Sequence, residues 1–115
     1  MIRAWRTWNY NFAEHCLVGI AGTRWLTREL VATCKSAPGS VAEHLTRGCA
    51  CGIYGTFGPS PEYNGVVEGI VVLSGAVLIG TCGAQSERGT IEQLWAPIEL
   101  AGVLGERYPG VPIHT

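Results

Sequence analysis

Four residues with metal-binding side chains lie close together near the middle of this 115-residue chain. Cys34, His44, Cys49 and Cys51 follow the spacing C-x9-H-x4-C-x-C. Four sulfur and nitrogen donors are the number that a tetrahedral Zn²⁺ takes. Gly52 comes next, and glycine tolerates the backbone angles that a tight Cys-x-Cys turn requires. The spacing therefore predicts a zinc site that ties a long loop to the rest of the chain.

These cysteines also have other interpretations. C-x-C is less usual in zinc sites than C-x2-C, and the thiols could be ordinary reduced cysteines, with His44 on a helix surface. An iron–sulfur cluster usually has four thiolate ligands, so Cys16 or Cys82 would have to replace His44. A disulfide framework is disfavoured, because the five cysteines are an odd number and we expect the protein to stay in a reducing compartment.

A site with four protein ligands would be closed. Catalytic zinc keeps one coordination position for water or substrate, whereas structural zinc does not. The free energy of metal binding would then contribute to the free energy of folding, which matters in a domain of this size. We therefore expect a structural zinc ion as the cofactor.

Composition indicates a folded domain that spans residues 1–115. Hydrophobic residues make up 47% of the chain and charged residues 15%, which is too apolar for a disordered chain. The net charge of −1 gives no general attraction for nucleic acid or anionic lipid. The start of the chain lacks the apolar run of a signal peptide, and the longest apolar stretch, 66–79, is shorter than a membrane span of roughly 20 residues. We expect a soluble, cytoplasmic protein.

The hydrophobic pattern predicts a mainly β fold. Strands are expected at residues 2–10, 16–21, 25–34, 65–83 and 90–96, and the fourth bends at Ser74-Gly75. Residues 25–34 also contain good helix formers, so a helix there is an alternative. Residues 84–89, AQSERG, are expected to form a loop.

Two short helices complete the expected fold. Ser40 is a predicted N-cap, with Glu43 three residues on and Gly48 at the helix end. Pro97 opens a second helix, which Pro109 stops. The expected architecture is α+β: a small, strongly bent sheet or partly open barrel with one or two short helices and a zinc-stapled loop.

The N-terminal strand carries arginine and tryptophan on both faces. Arg3 and Trp5 share one face, and Arg6 and Trp8 share the other. One face must pack on the core, and the other could stack a nucleic-acid base or contact a protein. The simpler interpretation is that tryptophan lies in the core and arginine covers it. Arg88, in the predicted loop, is a further candidate for contact with a partner.

No arrangement of residues indicates an enzyme. Glu14-His15-Cys16 places a thiol beside an imidazole, but adjacent residues on a strand point to opposite faces. The chain has no aspartate, no pair of neighbouring carboxylates that would suit acid–base catalysis, and no phosphate-binding loop followed by Lys-Ser/Thr. Three hypotheses remain: a binding or adaptor protein, a single-stranded nucleic-acid-binding protein, and a small zinc enzyme with an open ligand position.

Segments between residue 3 and about residue 100 match the pattern of a known family. They are Ala4-Trp5-Arg6, Trp25, Cys34, His44, the CACGIY element at 49–54, and residues 69–77, 87–89 and 95–97. Together they resemble a family of small uncharacterised proteins of actinobacteria and mycobacteriophages. Thr90 and Ile91 depart from it, since the family has an aromatic residue and an arginine there. The resemblance implies the metal site and, for a phage protein, an unidentified protein partner in the host cytoplasm.

Overall fold

The computed structural model describes residues 1–19, 22–34, 39–59 and 65–115. The strands in these ranges are β1 (Ile2–Asn11), β2 (Cys16–Val18), β3 (Arg24–Trp25), β4 (Glu29–Val31), β5 (Ile53–Thr56), β6 (Val67–Ile79), β7 (Gly83–Trp95) and β8 (Ile113–His114). The helices are α1 (Val41–Thr46) and α2 (Ile98–Arg107). Neither of these described helices is long and apolar enough to cross a membrane.

The strands form one mixed sheet built on a long hairpin. β6 and β7 pair antiparallel along most of their length, β1 pairs with the free edge of β6, and β5 pairs with β7. β1 and β5 meet at Trp5 and Thr56, which completes a ring of four hydrogen-bonded strands. The ring is not a barrel, because β1 and β5 pair at this one position in the described chain. The prediction of a mainly β, strongly bent sheet with two short helices is confirmed.

Irregularities in the long hairpin account for the bend of the sheet. The pairing of β6 with β7 shifts register between Ile70 and Val71 and again between Ser74 and Val77. The second shift lies at the predicted Ser74-Gly75 bend, where Gly75 has a φ of 74°. Extra residues in one strand bend it and increase its twist. The bulges therefore curve the sheet on which β1 and β5 meet.

The predicted loop at residues 84–89 is wrong, because these residues form the middle of β7. Ser86 is fully buried, and its hydroxyl donates to the Arg88 carbonyl at 2.7 Å. Gly89 lies so close to the core that a Cβ there would be 3.1 Å from the Trp25 ring. Glycine and serine are typical of loops, but pairing with β6 and close packing decide the structure here.

Residues 25–34 do not form one continuous strand. The helix alternative is wrong, and the chain forms β3 and β4 with a turn between them. Thr27 Oγ1 donates to the Glu29 carbonyl at 2.8 Å, and this local bond closes the turn. β2 is also shorter than predicted and ends at Val18; residues 20–21 of the predicted strand lie outside the described ranges.

Tyr108, just after α2, links the helix to two strands of the core. Its hydroxyl accepts a hydrogen bond from the Leu17 N–H at 2.8 Å and donates one to the Trp25 carbonyl at 2.6 Å. The Trp25 ring packs edge-on against Trp8, with ring centroids 5.6 Å apart. Leu104 of α2 is fully buried in the same cluster. These contacts place α2 over the core-facing side of the sheet.

Candidate metal centre

The local structure of α1 brings a histidine and a cysteine together. Ser40 is the N-cap, and its Oγ accepts a hydrogen bond from the Glu43 N–H at 3.2 Å. His44 is 3% exposed, and its carbonyl accepts hydrogen bonds from the N–H groups of Arg47 and Cys49. The chain therefore turns back at the end of α1 and returns Cys49 to the side of the helix that carries His44.

The four predicted ligands converge. The candidate ligand atoms of Cys34, His44, Cys49 and Cys51 all lie within 4.8 Å of one another. Cys34 Sγ and Cys49 Sγ are 3.8 Å apart. Two thiolates on a tetrahedral zinc, each about 2.3 Å from the metal, are separated by about 3.8 Å. The cluster can therefore hold a metal ion, and its donor set and spacing fit zinc.

The Cys-x-Cys turn is fixed to β7 by a side chain that the sequence does not mark. Gln85 Nε2 donates to the carbonyls of Cys49 and Cys51, at 3.4 and 3.1 Å. Gln85 falls in the segment predicted to be a loop, so sequence reasoning gives it no role. Its amide clamps the backbone of the turn and positions both thiols.

Each thiol of the cluster makes it harder for its neighbours to lose a proton. Burial, together with hydrogen bonds and charge from Cys49 and Cys34, raises the pKa of Cys51 to about 11. A bound divalent cation reverses this effect, because a coordinating thiol loses its proton outright. The cluster therefore becomes electrostatically balanced when a cation occupies its centre.

The alternative four-thiolate set is not assembled. Cys16 is fully buried in β2, away from the cluster, and Cys82 is exposed in the turn between β6 and β7. His44 therefore supplies the fourth ligand position in the described chain. An iron–sulfur site with four cysteines does not match this arrangement.

We expect that Gly52→Ala damages this centre. Gly52 has a φ of 99°, and a Cβ there would lie 2.9 Å from the Ser86 carbonyl oxygen. Gly48→Ala is the matched control, because Gly48 has a φ of 76° but no atom within 4 Å of the added Cβ. Both substitutions lower the free energy of unfolding by about 1–2 kcal/mol, because alanine is disfavoured in the left-handed conformation. Only Gly52→Ala also displaces the Cys-x-Cys turn.

The measurements are urea unfolding and zinc affinity by competition with a chromophoric chelator. Gly52→Ala is expected to bind zinc about 10- to 100-fold more weakly than Gly48→Ala, the range found when residues that support metal ligands are changed. Equal zinc affinities in the two variants would show that the Gly52 approach to β7 does not position the thiols.

Arg6 and Trp8 lie on the core-facing side of β1. Trp8 is 1% exposed, so its ring offers no surface to a partner. The Arg6 guanidinium lies 5.8 Å from the centre of the Trp8 ring and 5.6 Å from that of Trp25, and its Nη1 donates to the Tyr54 carbonyl at 2.7 Å. Arginine over buried tryptophan is the arrangement that the simpler interpretation predicts for this face.

Arg3 and Trp5 lie on the opposite, outward face. Trp5 and Trp95 have ring centroids 5.5 Å apart, and Trp95 stacks on His114 at 4.9 Å. We name Trp5, Trp95 and His114 the aromatic row. Arg3, beside it, makes an ion pair with Glu92. Trp95 and His114 could not be assigned to this face from the sequence, because β7 and β8 join it through pairing between distant residues.

Arg88 is exposed, but it lies on β7 and not in the predicted loop. Its Nε is 3.8 Å from the carboxylate of the neighbouring Glu87, an exposed contact of little energetic weight. It is well separated along β7 from Trp95.

Comparisons of the chain with protein-family models, with curated proteins and with solved structures found no match. Function is therefore inferred from the geometry of the chain's own residues.

Proposed function

We propose that this protein is a non-enzymatic binding or adaptor protein whose β fold is stabilised by a structural zinc ion. One observation carries the proposal: Cys34, His44, Cys49 and Cys51 supply four mutually close donors. With all four bound, zinc has no position left for water or substrate. The ion then fixes α1 and the Cys-x-Cys turn against the sheet, and function belongs to another surface.

The aromatic row is the surface best suited to a partner. Stacked rings beside an arginine are enriched in protein interfaces, because they bury a large area at low entropic cost. A protein partner is favoured over nucleic acid, since the net charge is −1 and Arg3 is already paired with Glu92. The resemblance to phage and actinobacterial proteins suggests a host protein in the bacterial cytoplasm as this partner.

Affinity purification from an actinobacterial lysate, followed by mass spectrometry, tests the partner surface. We expect a protein that is enriched by the wild type, depleted about tenfold or more with Trp5→Ala, and retained with Ile79→Ala. Ile79 is the matched control because it is 61% exposed and pairs with Ala84, at the opposite end of β7 from Trp95. Equal enrichment by both variants would exclude the aromatic row as the binding surface.

A single-stranded nucleic acid is the second candidate ligand, because the stacked rings of Trp5, Trp95 and His114 could receive bases. A mobility shift with an oligothymidylate, lost with Trp5→Ala and weakened by added salt, would favour this candidate over a protein partner. A zinc enzyme, the third candidate, would need water in place of His44 at the metal.

A further inference from the structure

A cavity next to the metal centre is lined by a half-buried arginine, Arg6. It has a volume of about 130 Å³ and lies between β4 and the start of β5. Its polar lining residues are Arg6, Thr23 and Thr33, and its aliphatic lining residues include Leu30, Val31 and Ile53. A cavity of about 150 Å³ is large enough for benzene, so this one can accept a ligand of about six heavy atoms.

The charge of Arg6 is incompletely balanced. Within the described ranges, Arg3 and Arg24 have glutamate partners, and Arg6 makes no ion pair. Its Nε is buried without a hydrogen-bond partner in the same ranges. Burial lowers the pKa of Arg6 to about 10, which is the effect of a low-dielectric site on a cation. Pairing lowers the free energy of a partly desolvated charge, so a bound anion would stabilise this site.

The lining indicates which anion fits. Arg6 is the one cation in the described lining, so a monovalent anion balances it and a dianion leaves a negative charge unpaired. A carboxylate matches the planar fork of a guanidinium, and the threonine hydroxyls can donate to its oxygens. The walls of Leu30, Val31 and Ile53 favour an alkyl chain over a further polar group.

We propose that this cavity binds a short-chain carboxylate, with its carboxylate group on Arg6 and its alkyl chain against Leu30 and Ile53. This site is separate from both the metal centre and the aromatic row, and it does not depend on the proposed adaptor function. It is adjacent to the metal centre along the chain, because Thr33 in its wall precedes Cys34.

Nuclear magnetic resonance of the zinc-loaded, ¹⁵N-labelled protein tests the proposal with butyrate as the probe. We expect saturable shifts of the Arg6 Nε–H and of the Leu30 and Ile53 amides, with a dissociation constant of about 1 mM. Butanol and phosphate, at matched ionic strength, are expected to bind at least about tenfold more weakly. Shifts that do not saturate with butyrate, or that butanol or phosphate reproduces at equal concentration, would overturn the proposal.

Variants provide a second test. Arg6→Met removes the charge and keeps the length of the side chain, and is expected to abolish saturable binding of butyrate. Arg6→Lys keeps the charge but lacks the planar guanidinium, and it is expected to bind butyrate about tenfold more weakly. Arg3→Met, on the opposite face of the same strand, is the control and should bind as the wild type does. Unchanged butyrate affinity in both Arg6 variants would contradict the placement of the carboxylate on Arg6. If neither variant folds, the shift of the wild-type Arg6 Nε–H signal decides whether butyrate binds there.

Discussion

Purified protein is expected to contain one equivalent of zinc, and removing this zinc should lower its free energy of unfolding by several kcal/mol. Structural zinc contributes about 10–16 kcal/mol of binding free energy in small zinc-dependent peptides, and here the sheet provides part of the stability without it. The ion joins Cys34, after β4, to His44 on α1 and to the Cys-x-Cys turn. Without the ion, the Cys51 thiol stays protonated, because its pKa is raised to about 11. No metal–ligand bond then joins the four side chains.

Metal analysis and thermal unfolding, with and without a chelator, measure this effect. Cys49→Ser and His44→Ala are expected to lose most of the zinc and to melt at a lower temperature, whereas Cys82→Ser should behave as the wild type, since Cys82 lies outside the cluster. Less than about half an equivalent of zinc in the wild type, with unchanged melting in both ligand variants, would exclude a structural zinc site.

X-ray absorption at the zinc edge separates the adaptor from the enzyme hypothesis. Three sulfur ligands and one nitrogen ligand fit the closed site that Cys34, Cys49, Cys51 and His44 form. Loss of the outer-shell scattering that an imidazole ring gives, with oxygen in place of the His44 nitrogen, would indicate an open coordination position and favour a zinc enzyme. Because coordination requires deprotonated thiols, zinc affinity is also expected to fall as the pH is lowered.

The candidate ligands could be predicted from the sequence because they are close along the chain. The helix cap at Ser40, the turn after α1 and the glycine at position 52 are all local signals, and together they bring His44, Cys49 and Cys51 into one region. The support that Gln85 gives to the turn could not be predicted, since it depends on which strand packs beneath the cysteines.

The faces of β1 show a similar limit. Alternation predicts that Arg3 and Trp5 share one face and Arg6 and Trp8 the other, and both structural faces follow it. The alternation does not say which pair is buried, because both faces carry the same residue types. Packing of Trp8 on Trp25, seventeen residues away along the chain, decides the matter.

The prediction of a loop at residues 84–89 is wrong for a related reason. Local composition favours a loop, but the residues that make it a strand are distant: β6 supplies the pairing, and Trp25 and Ile53 pack against Gly89. Small residues are required here because larger side chains would collide with the core. Their presence indicates close packing, which a single sequence cannot distinguish from a loop.

Tyr108→Phe is expected to destabilise the protein by about 2–4 kcal/mol at neutral pH. The change removes one hydroxyl and leaves two buried backbone groups, the Leu17 N–H and the Trp25 carbonyl, without this partner. Tyr10→Phe is the matched control, because the Tyr10 hydroxyl bonds at 3.2 Å to the partly exposed His15. Its cost should not exceed about 1 kcal/mol, since water can replace the lost bond.

Alkaline pH should reduce the difference between the wild type and Tyr108→Phe. Burial raises the pKa of Tyr108 to about 12 in the folded protein, against about 10 in the unfolded chain, although the Leu17 N–H and Arg107 act in the opposite direction. Between these values the folded state keeps a proton that the unfolded state has lost. The stability from Tyr108 is therefore complete below about pH 10 and decreases above it by about 1.4 kcal/mol per pH unit.

Urea unfolding of the wild type and Tyr108→Phe at a series of pH values from neutral to about 11.5 measures this effect. Cysteine, lysine and other tyrosine residues titrate in both proteins, so the difference between their free energies of unfolding isolates Tyr108. A difference that is large at neutral pH and smaller at high pH is the expected result. A constant difference would mean that Tyr108 has the same pKa in both states, and a difference near zero throughout would mean that its hydroxyl does not join α2 to β2 and β3.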